Sequence, residues 1–489
     1  MNASTGAAAA RVRAVVDRAL QVLAVSVALG MLVTALHDVS QAWDSGYYHL
    51  PFAARLAGIL PPESFVFHPA NAARFEGFPL LGERIQGVLW RVAGRPEAAN
   101  LLAFAGVPLF AWFARRRFGA APWLTVTALF AVPLVHTHAS SAYVDLPANL
   151  ALAVAVLLAL RAFASQEPVS PRTLVGAGVA SAVAANMKAL LHPLVALAIA
   201  ALVARALPGL VRELRAPARR RTAALTLAVI ALALPVVFAT PLANLLRHGN
   251  PYYPVRMSLL GHALPGTEDA YASSPPWLAS VPRPVRFVCS LLEIGIRPMT
   301  DEHRWTVDQW MPDESMGNRM GGFFGAYVVA NVAFLVWRAR ADRSREVKAA
   351  WIGFLVFTAA VSVMPQSHEL RYYLGWMIVL VSVNGWIASL PGRSPDLARG
   401  AGVVAALALA AVVAVTRADY VLPSGSRFEE LLAAKVDPKV LGGALDGERI
   451  CVQREPWNLL WAAPFHPPRR YVVVEAEEAS DCGGVRLVK

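Results

Sequence analysis

The feature that most constrains this chain is a succession of long apolar runs separated by short polar turns. A helix needs about 20 apolar residues to cross the hydrocarbon of a bilayer, where each backbone polar group must be satisfied within the segment. Eleven runs meet or approach that length: 18–37, 97–114, 121–141, 143–163, 172–187, 189–207, 222–246, 321–338, 349–365, 370–390 and 399–417. The fifth is short and rich in Gly and Ala. Only 16% of the residues are charged, against about 25% in soluble proteins. The expectation is an all-α polytopic membrane protein with about eleven transmembrane helices, residues 1–417, and a small α/β tail domain, 418–489. In that tail, Arg449 to Val452 and Arg470 to Val474 read as short strands. The first run lacks a small-residue cleavage site and is long enough to stay as an anchor.

The net charge of +12 could suggest nucleic acid until the charges are placed. Arg11, Arg13 and Arg18 precede the first run, which puts the N-terminus in the cytoplasm. Alternation then makes 115–117, 161–172, 205–221, 338–348 and 393–399 cytoplasmic. With the N-terminus these stretches hold 21 of the 45 Lys and Arg but 6 of the 33 Asp and Glu, a net of +15. Everything else nets −3. The basic excess is a topology signal and needs no nucleic acid. The Ala- and Arg-rich composition suggests a high-GC bacterium, hence an inner (plasma) membrane.

The chemistry-bearing residues then fall on the outer side. Trp43-Asp44-Ser45-Gly46-Tyr47-Tyr48-His49-Leu50-Pro51 follows the first run. An ionisable group there is a functional-site hypothesis by default. The bland alternative is an aromatic belt with a helix cap inside it. The same loop, 38–96, carries two amphipathic stretches. Leu50, Phe52, Ala53, Leu56, Ala57 and Leu60 form one, and Leu81, Ile85, Val88, Leu89 and Val92 the other. Both read as interfacial helices. Later outer segments contain Tyr143-Val144-Asp145-Leu146-Pro147, Asn186-Met187-Lys188, Asn250-Pro251-Tyr252-Tyr253-Pro254 and Glu369-Leu370-Arg371-Tyr372-Tyr373.

Asp44 suits a general base, beside the rings of Trp43, Tyr47 and Tyr48 that can stack on a sugar. Its plain reading is a cap for the helix that follows. Asp145 starts an apolar run as Asp-x-Pro, a capping signal, or acts as a second carboxylate that orients an acceptor or holds a divalent metal. Lys188 and Arg371 either snorkel to headgroups or bind a lipid phosphate, Arg371 through two parallel hydrogen bonds. His49, His136, His138 and His192 match no strong metal pattern. No metal site is assigned, and a divalent metal is the one cofactor left open. His49, Tyr143, Asn250, Tyr252, Tyr253 and Tyr372 complete the candidate substrate-binding set. Asn250 to Pro254 also reads as turn chemistry. Cys451 and Cys482 could pair in an oxidising compartment.

These motifs, in this order and on one side, resemble the GT-C superfamily of polytopic glycosyltransferases. Its members include protein O-mannosyltransferases and bacterial lipid A aminoarabinose transferases. The resemblance covers roughly 20–390. It implies a sugar donor linked to polyprenyl phosphate or diphosphate, an inverting transfer at the extracytoplasmic face, and an Asp base in the first outer loop, carried onto Asp44. The acceptor would be a glycan, lipid or protein. The tail is too small for a large acceptor-recognition domain. Three other readings stand beside it: a lipid-linked-sugar transporter, an O-antigen ligase or polymerase, and a non-catalytic GT-C-like subunit. A transporter should place ionisable residues near the midplane and show paired halves. Here they cluster at one face, without a repeat.

Overall fold

Each of the eleven apolar runs is helical in the computed structural model. It describes residues 3–259, 261–270, 274, 276–296, 298–300, 304–308, 321–437, 439, 441, 446–478, 482 and 487–488. Among them, six helical segments are long and apolar enough to cross a membrane: Ala10–His37, Pro96–Phe118, Asp145–Ala164, Ala189–Arg215, Arg220–Val237 and Pro395–Val415. The other runs are shorter, broken or carry more charge. The chain is a multi-pass, mainly helical membrane protein.

In chain order the first helices are α1 (Ala3–His37), α2 (Leu50–Leu56), α3 (Pro69–Gly77), α4 (Leu81–Ala93) and α5 (Leu101–Phe118). The run expected as one span over 121–141 is two helices, α6 (Pro122–Phe130) and α7 (Pro133–His138). Pro133 has no N–H to give and its ring clashes with the preceding turn, so the helix restarts there. Next come α8 (Asp145–Ala164), α9 (Pro171–Met187), α10 (His192–Arg215), α11 (Arg220–Val237) and α12 (Ala239–His248). The run 222–246 is thus also split, at Phe238. Then follow α13 (Pro276–Ala279), α14 (Arg283–Leu291), α15 (Gly325–Ala341), α16 (Arg345–Ser362), α17 (Leu374–Ala388), α18 (Pro395–Val415) and α19 (Phe428–Lys435).

Helix α8 is the centre of the bundle. It packs on α5, α9, α10, α16 and α17. Some 78% of its apolar window is buried, against 11% for α11 at the edge. Between lipid-bathed helices there is no hydrophobic drive, so small residues are needed for close packing. Ala148, Ala153, Ala155 and Ala159 supply them. At the N-terminal end of α8, Asn149 clips the start of α17: its Oδ1 accepts from the Gly375 N–H at 2.8 Å and its Nδ2 donates to the Tyr372 carbonyl at 3.3 Å.

Over that end of the bundle sits a cap made from two distant parts of the chain. The strands are β1 (Phe65–Val66), β2 (Val255–Leu259), β3 (His262–Leu264), β4 (Glu268–Asp269), β5 (Arg449–Gln453), β6 (Val472–Ala476) and β7 (Leu487–Val488). The larger sheet runs β1-β6-β5-β7, every pair parallel, with Phe65 opposite Val473 and Cys451 opposite Val474. The tail strands therefore form as expected, and the first loop adds β1 to them. Phe52, Phe65, Trp90, Phe428, Trp457, Leu459 and Val473 share one core. Cys451 and Cys482 are disulfide-bonded. The smaller sheet, β3-β2-β4, is tied to the first loop by a two-pronged Arg74–Glu268 pair at 2.7 and 2.8 Å.

Both amphipathic stretches of the first loop are helices, as α2 and α4, and α3 between them is an addition. On α4, Glu83 and Gln86 point inward while Val88 and Val92 are exposed. That inverted pattern suits a helix whose apolar face meets lipid.

Candidate functional site

The polar residues of five connecting segments converge where α1, α8, α9 and α17 begin or end. Asp44 precedes a single π-helical turn, Ser45–His49, that runs into α2. The turn is pressed onto the tail. The Trp457 N–H donates to the Gly46 carbonyl at 3.1 Å, and a Cβ on Gly46 would lie 2.6 Å from the Trp457 ring. Asp38 ties the same stretch down, accepting from the Ser424 and Gly425 N–H groups at 3.1 and 2.9 Å.

Arg371 is the hub. It lies in a 3-10 turn, Leu370–Tyr373, ahead of α17, and is 2% exposed. Its Nη1 is 3.2 Å from Asp44 Oδ2 and 3.8 Å from Asp308 Oδ1. Its Nη2 donates to the Tyr372 hydroxyl at 3.1 Å. The guanidinium carbon also lies 4.9 Å from the centre of the Tyr372 ring and 5.6 Å from that of Tyr143. Lys188 Nζ is 4.5 Å from the centre of the same Tyr372 ring. Lys188, at the C-terminal end of α9, pairs with the Asp145 carboxylate. Asp145 is the first residue of α8 and its carboxylate makes no capping hydrogen bond there; it is spent on Lys188. The two expected phosphate-binding cations thus lie against one aromatic ring, and each already faces a carboxylate.

Asp308, in the loop before α15, carries no sequence signal. It receives the Tyr143 hydroxyl on Oδ1 and the Trp43 N–H on Oδ2 at 2.9 Å. The Tyr143 hydroxyl in turn accepts from the Asp44 N–H at 2.9 Å. Burial, and then the charge of Asp44, push the Asp308 carboxyl above its ordinary value.

A second layer supports this one. His49 Nδ1 is 2.7 Å from Glu83 Oε1, both nearly fully buried, and the His49 ring is 5.4 Å from Tyr143. Gln86 donates to the Ala142 carbonyl at 2.6 Å. Glu369, two residues before Arg371, is 1% exposed, and burial pushes its carboxyl up to about 7.

Other expected residues lie further out. Trp43 is 47% exposed and 6.0 Å from Tyr47, ring centre to ring centre. Tyr47 is bordered by Arg454 of the tail and by Arg74. Tyr48 packs on His49 and Phe52. Asn250 braces its own turn, donating to the carbonyls of Val255 and Pro265 and accepting from the Tyr252 N–H. Tyr253 stacks on His248 at 3.8 Å, and Tyr252 faces His192. The ring contacts of this turn are thus with α10 and α12, and the Tyr253 carbonyl lies close to Gly77 at the end of α3. His136 and His138 are buried within α7. Among the described residues no three His, Cys, Asp or Glu are grouped to hold a metal. Two apolar grooves of about 340 and 530 Å³ lie elsewhere in the bundle and contain none of these residues.

A cation pair around an aromatic ring, with carboxylates at its edge, can take an anion and offer a proton acceptor beside it. No protein-family model matches the sequence, and no curated protein matches it. Solved structures do match. The crystal structure of ArnT from Cupriavidus metallidurans bound to undecaprenyl phosphate is 15% identical with a TM-score of 0.50, over 92% of this chain and 89% of that one. ArnT from the same organism in the apo state is 14% identical with a TM-score of 0.51, over 95% and 88%. The likeness is one of fold, along nearly the whole of both chains. The fold expected from the resemblance is therefore the one the chain adopts.

Proposed function

We propose that this chain is a membrane glycosyltransferase that moves a sugar from a polyprenyl-phosphate-linked donor to an acceptor hydroxyl on the extracytoplasmic side. The observation that carries the reading is the placement of Arg371 and Lys188 against the one Tyr372 ring, with Asp44 against the guanidinium. The fold shared with ArnT, there bound to undecaprenyl phosphate, supports the donor class.

In this reading Asp44 takes the proton from the attacking hydroxyl as the new bond to the anomeric carbon forms. The bond from that carbon to the phosphate oxygen breaks on the opposite face, so configuration inverts. The electron pair leaves with the lipid phosphate, whose growing charge Arg371 and Lys188 meet. Fixed donors aimed at developing charge in a water-poor site are among the largest catalytic contributions. Trp43 and Tyr47, at the exposed edge, offer rings for the sugar or the acceptor.

The orientation follows from the Lys and Arg asymmetry, with the N-terminus cytoplasmic and the site and tail outside. Tags on the two ends, probed with protease on intact cells, should lie on opposite sides; finding them on one side would reverse that part. Purified protein should release lipid phosphate from a synthetic polyprenyl-linked sugar only when an acceptor is glycosylated. Transport of the intact donor across a vesicle without transfer would instead favour a transporter.

A further inference from the structure

Two carboxylates share one edge of Arg371, and a single proton acceptor needs only one of them. Asp308 is the extra one. Each of its oxygens is engaged, one by the Tyr143 hydroxyl and one by the Trp43 N–H. Those partners lead to Asp44, through Trp43 immediately before it and through the Tyr143 hydroxyl that accepts from the Asp44 N–H. So a residue far along the chain fixes two successive backbone N–H groups, those of Trp43 and Asp44, just ahead of the Asp44 Cα. The charges are also uneven. Among the described ion pairs here, the three carboxylates of Asp44, Asp145 and Asp308 face the two cations of Arg371 and Lys188.

We propose that Asp308 is a positioning residue of this site: it sets the Asp44 carboxylate toward Arg371, and its charge weakens the grip of Arg371 on lipid phosphate so that the spent carrier can leave. The inference rests on the transferase reading above. A cation pair that bound phosphate without a nearby counter-charge would hold product as firmly as it stabilises the leaving group. Binding both equally well lowers KM without raising kcat. A carboxylate fixed by a hydroxyl and an amide cannot swing away, so its field acts on every phosphate that enters.

The test uses the full-length protein in lipid nanodiscs, with undecaprenyl phosphate as the binding probe and a synthetic polyprenyl-linked sugar for turnover. Asp308→Asn keeps the shape and removes the charge. It should bind undecaprenyl phosphate about tenfold more tightly, the order expected when a like charge several ångströms away is removed. Its kcat should fall about tenfold, because an amide cannot accept both bonds. Tyr143→Phe keeps the charge and removes the bridging hydroxyl, so kcat should fall with binding unchanged. A role in folding alone would weaken binding in both variants and tighten it in neither. Asp308→Asn binding no more tightly than the parent overturns the inference. If Asp308→Asn does not fold, Tyr143→Phe decides, and parental kcat there overturns it. A parent that fails to bind the probe, or binds it equally after Arg371→Ala, refutes the phosphate site itself.

Discussion

Replacing Arg371 with Lys is the sharpest perturbation of the anion site, because it keeps the charge and removes only the geometry. The guanidinium reaches Asp44 at 3.2 Å with one nitrogen and the Tyr372 hydroxyl at 3.1 Å with another, while Asp308 lies 3.8 Å away. An ammonium on a shorter effective reach can satisfy one of these directions, and it cannot offer two parallel donors to a phosphate. A hydrogen bond to a charged group contributes about 1.5–3 kcal/mol. Losing one of them, with part of the ring stacking, gives about 3 kcal/mol of transition-state stabilisation, or roughly 10²-fold in kcat/KM. The assay is transfer from a polyprenyl-linked donor by purified protein, with thermal unfolding followed in parallel. The Lys variant should melt within a few degrees of the parent, since the buried charge is still there. Arg371→Ala should not: it strands Asp44 and Asp308 and costs about 3–5 kcal/mol of stability. A Lys variant as fast as the parent would refute the argument from geometry.

Three further outcomes follow from the same contacts. Asp145→Asn leaves Lys188 buried opposite a neutral amide, so it should lower stability by about 3–5 kcal/mol, well beyond the ~1 kcal/mol of a lost cap; chemical denaturation of the two proteins checks it. Burial holds the Glu369 carboxyl at about 7, above the ordinary 4.5 of the unfolded chain, so its stabilising contribution is complete below pH ~4.5 and is lost as pH rises to 7. That difference amounts to about 3 kcal/mol, and Glu369→Gln should flatten the melting temperature between pH 5 and 8; an unchanged slope would contradict it. Gly46→Val drives a side chain into the Trp457 ring and should destabilise the cap by about 1–3 kcal/mol, seen as faster proteolysis of the tail.

What could be read in the sequence was what the bilayer dictates. Length and apolarity are imposed on every spanning helix, so each of the eleven runs is helical where expected. The breaks carry proline signals: Pro133 restarts the helix at one, and Pro235 and Pro241 bracket the other at Phe238. The strands of the tail were legible from β-branched runs, whereas β1 is two residues long and is a strand only because β6 lies beside it. In the site, Asp44, Asp145, Lys188, Arg371, Tyr143 and Tyr372 were visible because an ionisable or aromatic residue at the edge of an apolar run is unusual. Asp308 was not, since it sits in a long polar loop where any of several acids could have folded inward. For Asn250 to Tyr253 the turn chemistry was legible from Asn and Pro, and the hydrogen bonds of Asn250 hold that turn.

The central claim is that the Asp44 carboxylate takes the proton of the attacking hydroxyl, a role that typically contributes about 10²–10⁴ in rate. Asp44→Asn preserves the shape of the side chain beside Arg371 and removes the base. Single-turnover transfer from a preloaded polyprenyl-linked donor isolates that step from binding and release. The account expects transfer to fall by at least about 10² while undecaprenyl phosphate still binds and the protein melts as the parent does. Transfer at the parental rate in Asp44→Asn would contradict it.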